Sequence, residues 1–214
     1  MERATSDAAA RETLRRGLAE LELSDASLSK LEALSVLLAH WATRLNLTAH
    51  RSADAIAHRL VLDALALGSV LPESPPASLA DLGSGAGFPG LPLAIVWPAC
   101  QITLVESRER RHHFQRAAVR ELDLSNVTPR LGRAESLPPV AHRMVVAQAV
   151  SRPEIAIAWM LSWAAPDAWI VVPQSDTQGP PVLSVDLFHV ETRPYQVPAG
   201  GPRRVAWIAR RMAS

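Results

Sequence analysis

Cysteine and lysine are almost missing from this chain of 214 residues: Cys100 and Lys30 each stand alone. A single thiol excludes an internal disulfide and any multi-cysteine metal site, and it fits a reducing compartment. With one lysine, the rest of the 22 Lys plus Arg are arginines, whose forked guanidinium suits phosphate. Long apolar runs are missing too. None reaches the roughly 18 residues that a membrane-spanning helix needs, so no membrane partner is expected. The opening residues, MERATSDAAARETLRR, mix both charge signs and hold no apolar stretch of the signal-peptide kind. A cytoplasmic location follows as an expectation. Net charge is only +1, which does not by itself announce a nucleic-acid binder. His112 and His113 are adjacent and would face different sides of a helix, so they read as solvated surface rather than joint ligands. No metal is expected.

What is present is an apolar, well-patterned chain, 48% hydrophobic and 20% charged, long enough for one sizeable core and an appendage. Residues 7–68 read as helical, with Leu31, Leu34, Leu38, Trp41 and Leu45 stepping by three and four along one face. Prolines in PESPPAS (72–78) end that order. The boundary is placed there: a helical region over 1–72, then an α/β domain over 78–214. Strands are expected at Ser78–Leu82, Gln101–Glu106, Asn126–Leu131, Met144–Val150 and Ala168–Val172. Helices are expected at Pro89–Val96, Arg108–Leu122 and 154–165. Segments near 182–191 and 204–209 would close the sheet as an antiparallel pair. Alternating β and α elements predict a mostly parallel sheet covered by helices on both faces.

The stretch DLGSGAGFPG (81–90) sits where such sheets bind ligands, after the first strand and at the opening of a helix. Gly83, Gly85 and Gly87 permit a tight turn and leave no side chain between backbone and ligand. Glu106 ends the second strand, where an acid accepts hydrogen bonds from a ribose diol. Both NAD and S-adenosylmethionine meet that description. A dinucleotide fold wants G-x-G-x-x-G facing pyrophosphate, whereas the spacing here is G-x-G-x-G followed by Phe88-Pro89-Gly90. The methyl donor carries no phosphate and needs only a turn that clears a methionyl tail, with Asp81 placed to support the tail's ammonium. The spacing favours S-adenosylmethionine.

DLGSGAGFPGLPLAIVWP resembles the signature of the bacterial 16S ribosomal RNA guanine-N7 methyltransferases, the glucose-inhibited-division B family. WATRLNLT (41–48) is similar to that family's W-N-x-x-x-N-L-T, and Arg59 with Asp63 resembles part of its R-H-x-x-D-S. Glu106-Ser107, GRAES (132–136) and YQVPAGGPRR (195–204) match further segments, so the likeness covers roughly residues 10–210. The resemblance implies a Rossmann-like class I methyltransferase sheet of about seven strands with a small N-terminal helical appendage. It implies S-adenosylmethionine as cofactor, held by Asp81, Gly83, Ser84, Gly85, Phe88, Glu106, Ser107, Ala134, Glu135 and Gln148. It also implies 16S ribosomal RNA or the small ribosomal subunit as partner, with methyl transfer to N7 of a guanine by a monomer. No catalytic side chain is assigned.

Three family positions differ here. Gln148 stands where the family has arginine, although a three-residue slip would bring Ser151-Arg152 there instead. Pro173 stands for a lysine and Leu60 for a histidine. These differences keep two further readings open: a divergent methyltransferase with another acceptor, and a binding homologue without catalysis. A nicotinamide oxidoreductase is the reading from a different class. Arg44, Arg51, Arg59, Arg203 and Arg204 are the expected RNA contacts, with Arg108, Arg110 and Arg111 on the helix after the second strand. The run RERRHH (108–113) reads first as a solvated helix face. Trp41, Trp159 and Trp163 read as core.

Overall fold

The computed structural model describes residues 2–19, 21, 23–148, 153–177 and 188–211. The stretch read as helical comes in three pieces: α1 (Glu2–Gly17), α2 (Asp25–Ala42), and α3 (Ala53–Ile56) running through a π-helical turn (Ala57–Val61) into α4 (Leu62–Ser69). Two serines restart the helices. The Ser24 hydroxyl accepts from the Ser27 amide at 3.1 Å, and the Ser52 hydroxyl accepts from the Ala55 amide at 3.2 Å. Each satisfies an amide that the first helical turn leaves without a carbonyl partner.

The rest of the chain alternates as expected: β1 (Ser78–Leu82), α5 (Gly90–Val96), β2 (Gln101–Glu106), α6 (Glu109–Glu121), β3 (Val127–Leu131), β4 (His142–Val146), α7 (Pro153–Trp163), β5 (Ala164–Ser175), β6 (Phe188–Gln196) and β7 (Arg203–Arg211). Among the described residues seven strands form one sheet in the order β3-β2-β1-β4-β5-β7-β6. The first five pair in parallel, while β7 runs antiparallel to both β5 and β6. The closing antiparallel pair is therefore present, although 182–187 of its first expected strand lie outside the described residues, as do Ser151 and Arg152. Strand order reverses between β1 and β4, which opens a crevice at their carboxyl ends.

Period-two alternation assigns the two faces of β1. Leu79 packs into a core built with α2, α4, α5 and α6, whereas Ala80 and Leu82 join a second core around α7. Leu31, Leu34 and Leu38 of the predicted stripe are fully buried in the first core, and Trp41 meets Phe114 edge-on at 5.7 Å. Residues on both sides of the expected 72/78 boundary share that core. Trp163 is fully buried and Trp159 partly so. One histidine corrects the sequence reading. His113 is exposed, but His112 is buried because its position on α6 turns it toward β3, where it hydrogen-bonds to the Pro129 backbone. Burial lowers the pKa of its imidazole.

Asn126 ties the end of α5 to the start of β3. Its side-chain amide lies 3.2 Å from the Ala94 and Trp97 carbonyls and 3.1 Å from that of Cys100. Ala94 and Trp97 stand at the end of α5, where carbonyls lack intrahelical donors, and Cys100 directly precedes β2; the Trp97 carbonyl also accepts from the Cys100 amide at 3.0 Å. Asn126→Ala is expected to cost about 2 kcal/mol, because it removes a buried donor shared by three carbonyls, of which that of Trp97 alone keeps the Cys100 amide in a turn. Urea unfolding at unchanged slope is the measurement, and a loss within error of zero would contradict the capping role.

Candidate functional site

Three chain segments meet at the carboxyl edge of the sheet. The Gly83 and Ser84 amides donate to the Val105 carbonyl at 2.9 and 3.0 Å, which fastens the glycine turn to the end of β2. The Gly132 amide donates to the Glu106 carbonyl at 3.0 Å, which brings the 132–136 segment beside the same strand end. Gly83 and Gly85 have φ values of +72° and +58°, the left-handed region that costs residues with a Cβ roughly 1–2 kcal/mol. A side chain at Gly83 would enter open space, with nothing within 4 Å of its Cβ. The bare backbone therefore faces a space that the protein does not fill.

The turn is held from behind by a residue that sequence reasoning missed. Gln115, fully buried on α6, donates its amide to the Ser84 hydroxyl and to the Gly85 carbonyl, both at 2.8 Å. The available signal was a polar residue beside the apolar Phe114–Ala118–Leu122 face. Ser84 itself turns inward and donates to the Val105 carbonyl at 3.2 Å. Phe88 and Pro89 are buried and border a narrow cavity shared with Leu60, Asp63, Gln148 and Tyr195.

Asp81 is fully buried. One carboxylate oxygen accepts from the Gly90 amide at 2.9 Å, while the other has no partner. Burial pushes its carboxyl up to about 7; the Gly90 hydrogen bond opposes the shift and the nearby Glu106 charge adds to it. Glu106 is also buried, at the carboxyl end of β2. It accepts from the Arg108 amide at 2.8 Å and lies 3.7 Å from a terminal nitrogen of Arg111. The exposed Ser107 donates to it at 3.5 Å. Ala134 is buried, and its carbonyl accepts from the Trp163 indole at 3.0 Å. Glu135 is exposed, 3.6 Å from Arg133.

Gln148 stands just beyond β4 and hydrogen-bonds to Asp63. Asp63 is the centre of a second buried cluster: Arg204 pairs with it at 2.9 Å and the Tyr195 hydroxyl donates at 3.3 Å. Burial raises the Asp63 pKa, while Arg204, Tyr195 and Gln148 oppose the shift. Of the arginines expected to face RNA, Arg44, Arg51, Arg59 and Arg203 are exposed. Arg51 donates to the Ala42 carbonyl, and Arg204 is engaged with Asp63.

With that geometry in place, likeness to known proteins becomes informative. Residues 27–177 match the family model described as GidB, rRNA small subunit methyltransferase G. The chain belongs to that family. It is 42% identical over 130 residues to ribosomal RNA small subunit methyltransferase G of Stenotrophomonas maltophilia, a match covering 61% of this chain and 60% of that protein. The namesake from Dichelobacter nodosus is 35% identical over 208 residues, covering 95% of this chain and 96% of its own. Among solved structures, a putative O-methyltransferase from Klebsiella pneumoniae superposes with a TM-score of 0.61 at 15% identity, covering 92% of this chain and 94% of that one. That likeness establishes the class I methyltransferase sheet. Among the described residues no group of three His, Cys, Asp or Glu is arranged to hold a metal ion, and no helix is long and apolar enough to cross a membrane.

Proposed function

We propose that this protein transfers a methyl group from S-adenosylmethionine to N7 of a guanine in small-subunit ribosomal RNA. The observation that carries this reading is the open space over Gly83, in a glycine turn fastened to the end of β2 at the carboxyl edge of the sheet in a chain from this family. The donor set fits the cofactor. Bare backbone at Gly83 and Gly85 accommodates the methionyl part, and the Glu106 carboxylate accepts from the ribose hydroxyls. The buried Ala134, with Glu135 beside it, flanks the adenine. The free oxygen of Asp81 is an orphaned acceptor two residues before Gly83, suited to an ammonium directly or through water. Phe88 and Gln148 line a narrow cavity with Asp63 and Tyr195, and in this reading they border the methionyl end of the cofactor.

When bound, S-adenosylmethionine supplies an electrophilic methyl carbon on a sulfonium. Guanine N7 carries an in-plane lone pair and no proton, so no side chain has to act as a general base. The protein's task is to hold two partners in line at near-contact distance and to exclude water. The exposed Arg44, Arg59 and Arg203 neutralise phosphates of the incoming RNA in this reading. The domain division at 72/78 belongs to the same proposal, with the helical part serving as an RNA-facing appendage.

Calorimetry with S-adenosylhomocysteine and with NAD tests the cofactor, and binding of NAD alone would reject it. Radiolabelled methyl donor with small subunits lacking the modification tests the acceptor. Label is expected in guanine N7 of the 16S RNA, and label elsewhere would establish a different acceptor. Glu106→Ala is expected to weaken S-adenosylhomocysteine by roughly 10- to 100-fold, the worth of a charged hydrogen-bond acceptor. Equal affinity in the variant would remove Glu106 from the site.

A further inference from the structure

Arg111 stands between two features that the proposed function treats separately. One terminal nitrogen of its guanidinium is 3.7 Å from Glu106 and 3.9 Å from where a Cβ on Gly85 would lie. The same residue lines an open cleft of about 440 Å³ with Asn46, Arg108, Glu109 and Arg110. Arg108 and Arg110 are exposed, and among the described residues neither has a carboxylate within ion-pair distance. Among the described residues Glu109 is the only acid lining the cleft, set against three guanidinium groups. That charge balance favours an anion, and the fork-shaped donors suit a phosphate.

The Arg111–Glu106 contact is loose. At 3.7 Å it is longer than a charge-assisted hydrogen bond of about 2.8 Å, and the Nε of Arg111 is buried with no partner. The guanidinium is thus weakly held above the glycine turn, beside the acid that the cofactor's ribose needs. A ligand engaging Glu106 competes with Arg111 for that carboxylate. Once displaced, the guanidinium has the cleft on its other side.

We infer that the cleft among Asn46, Arg108, Arg110 and Arg111 is a phosphate subsite for the substrate RNA, and that Arg111 couples it to the cofactor site. Cofactor on Glu106 releases Arg111 to the phosphate, so the two ligands bind with positive cooperativity and each strengthens the other by the same factor. This inference rests on the cofactor reading above. The coupling lets the protein engage RNA most tightly once its methyl donor is in place.

The test uses the full chain, S-adenosylhomocysteine and a fluorescent, unmodified 16S ribosomal RNA transcript, with anisotropy measured over a range of salt. Wild-type protein is expected to bind the transcript roughly fivefold more tightly when saturated with S-adenosylhomocysteine. The slope of log affinity against log salt should steepen by about 0.7–0.9, one added phosphate contact. Arg111→Gln is expected to bind S-adenosylhomocysteine at least as tightly as wild type, while its RNA affinity becomes indifferent to the cofactor analogue. The double variant Arg108→Gln/Arg110→Gln should bind RNA several-fold more weakly and S-adenosylhomocysteine unchanged. Three results would overturn the inference: no RNA binding or no coupling in wild type, full coupling in Arg111→Gln, or loss of S-adenosylhomocysteine affinity in that variant. Calorimetry on the wild-type protein before RNA is added separates these from failure of the cofactor reading itself.

Discussion

Asp81→Asn is expected to flatten the dependence of stability on pH between 4 and 7, where the wild-type protein loses on the order of 4 kcal/mol from this one group. The Asp81 carboxyl has a folded pKa of about 7 against an ordinary 3.8, with burial as the first cause. A raised folded pKa means that the folded state holds its proton more tightly than the unfolded chain does. The stabilisation is therefore fully present below about pH 3.8 and is lost progressively as pH rises toward 7. Asparagine keeps the shape and an oxygen for the Gly90 amide, but has no proton to lose. Urea unfolding at several pH values decides the matter. A variant with the same pH slope as wild type would show that Asp81 is not the titrating group.

The second large effect concerns a clasp between distant parts of the chain. Asp63→Ala is expected to destabilise the protein by about 3 kcal/mol, because Arg204 then keeps a partly buried charge without its carboxylate. The Arg204 side chain is 29% exposed and its Nε is buried without a partner, so solvent relieves only part of that cost. Arg203, exposed and with no ion pair among the described residues, serves as the contrast: Arg203→Ala should leave stability within about 0.5 kcal/mol of wild type. A double-mutant cycle between Asp63→Ala and Arg204→Ala is expected to give a coupling above about 1 kcal/mol. Additive losses would mean that the pair contributes no specific interaction. Two neighbouring contacts reinforce the clasp: His58 Nε2 lies 3.0 Å from the Ala199 carbonyl, and Arg193 donates to the Val70 carbonyl at 2.7 Å. The helical layer thus grips the β6–β7 hairpin in three places, and two motifs with likeness to the family, around Asp63 and around Arg204, are partners in space.

Strand positions followed closely from local pattern where both neighbours continue the ladder. QITLVE and SLADL have the residue bounds expected of them, since β-branched and apolar residues there are buried against β3, β1 and β4. MVVAQAV was harder to bound. Its apolar character runs on through Val150, but the strand ends at Val146 and Gln148 turns to Asp63. Composition carries no mark of where a ladder loses its partner. β5 illustrates the opposite error: AWIVV was expected alone, yet the strand spans Ala164–Ser175 because β4 and β7 pair with it on either side.

By itself the sequence determined the order of strands and helices, the glycine turn with its left-handed residues, the acid that closes β2, and the family. Each of these is written in neighbouring residues, through period, through the absence of a Cβ, or through a contiguous motif. Only the tertiary structure decided what each charge does. Arg204, expected to face RNA, meets Asp63 across 141 positions of chain, Tyr195 reaches the same carboxylate across 132, and Gln115 supports a turn 30 residues away. Charge and hydrogen-bond partners are set by distance in space, and a carboxylate's pKa by how completely the fold removes it from water. Neither quantity exists until the chain has packed.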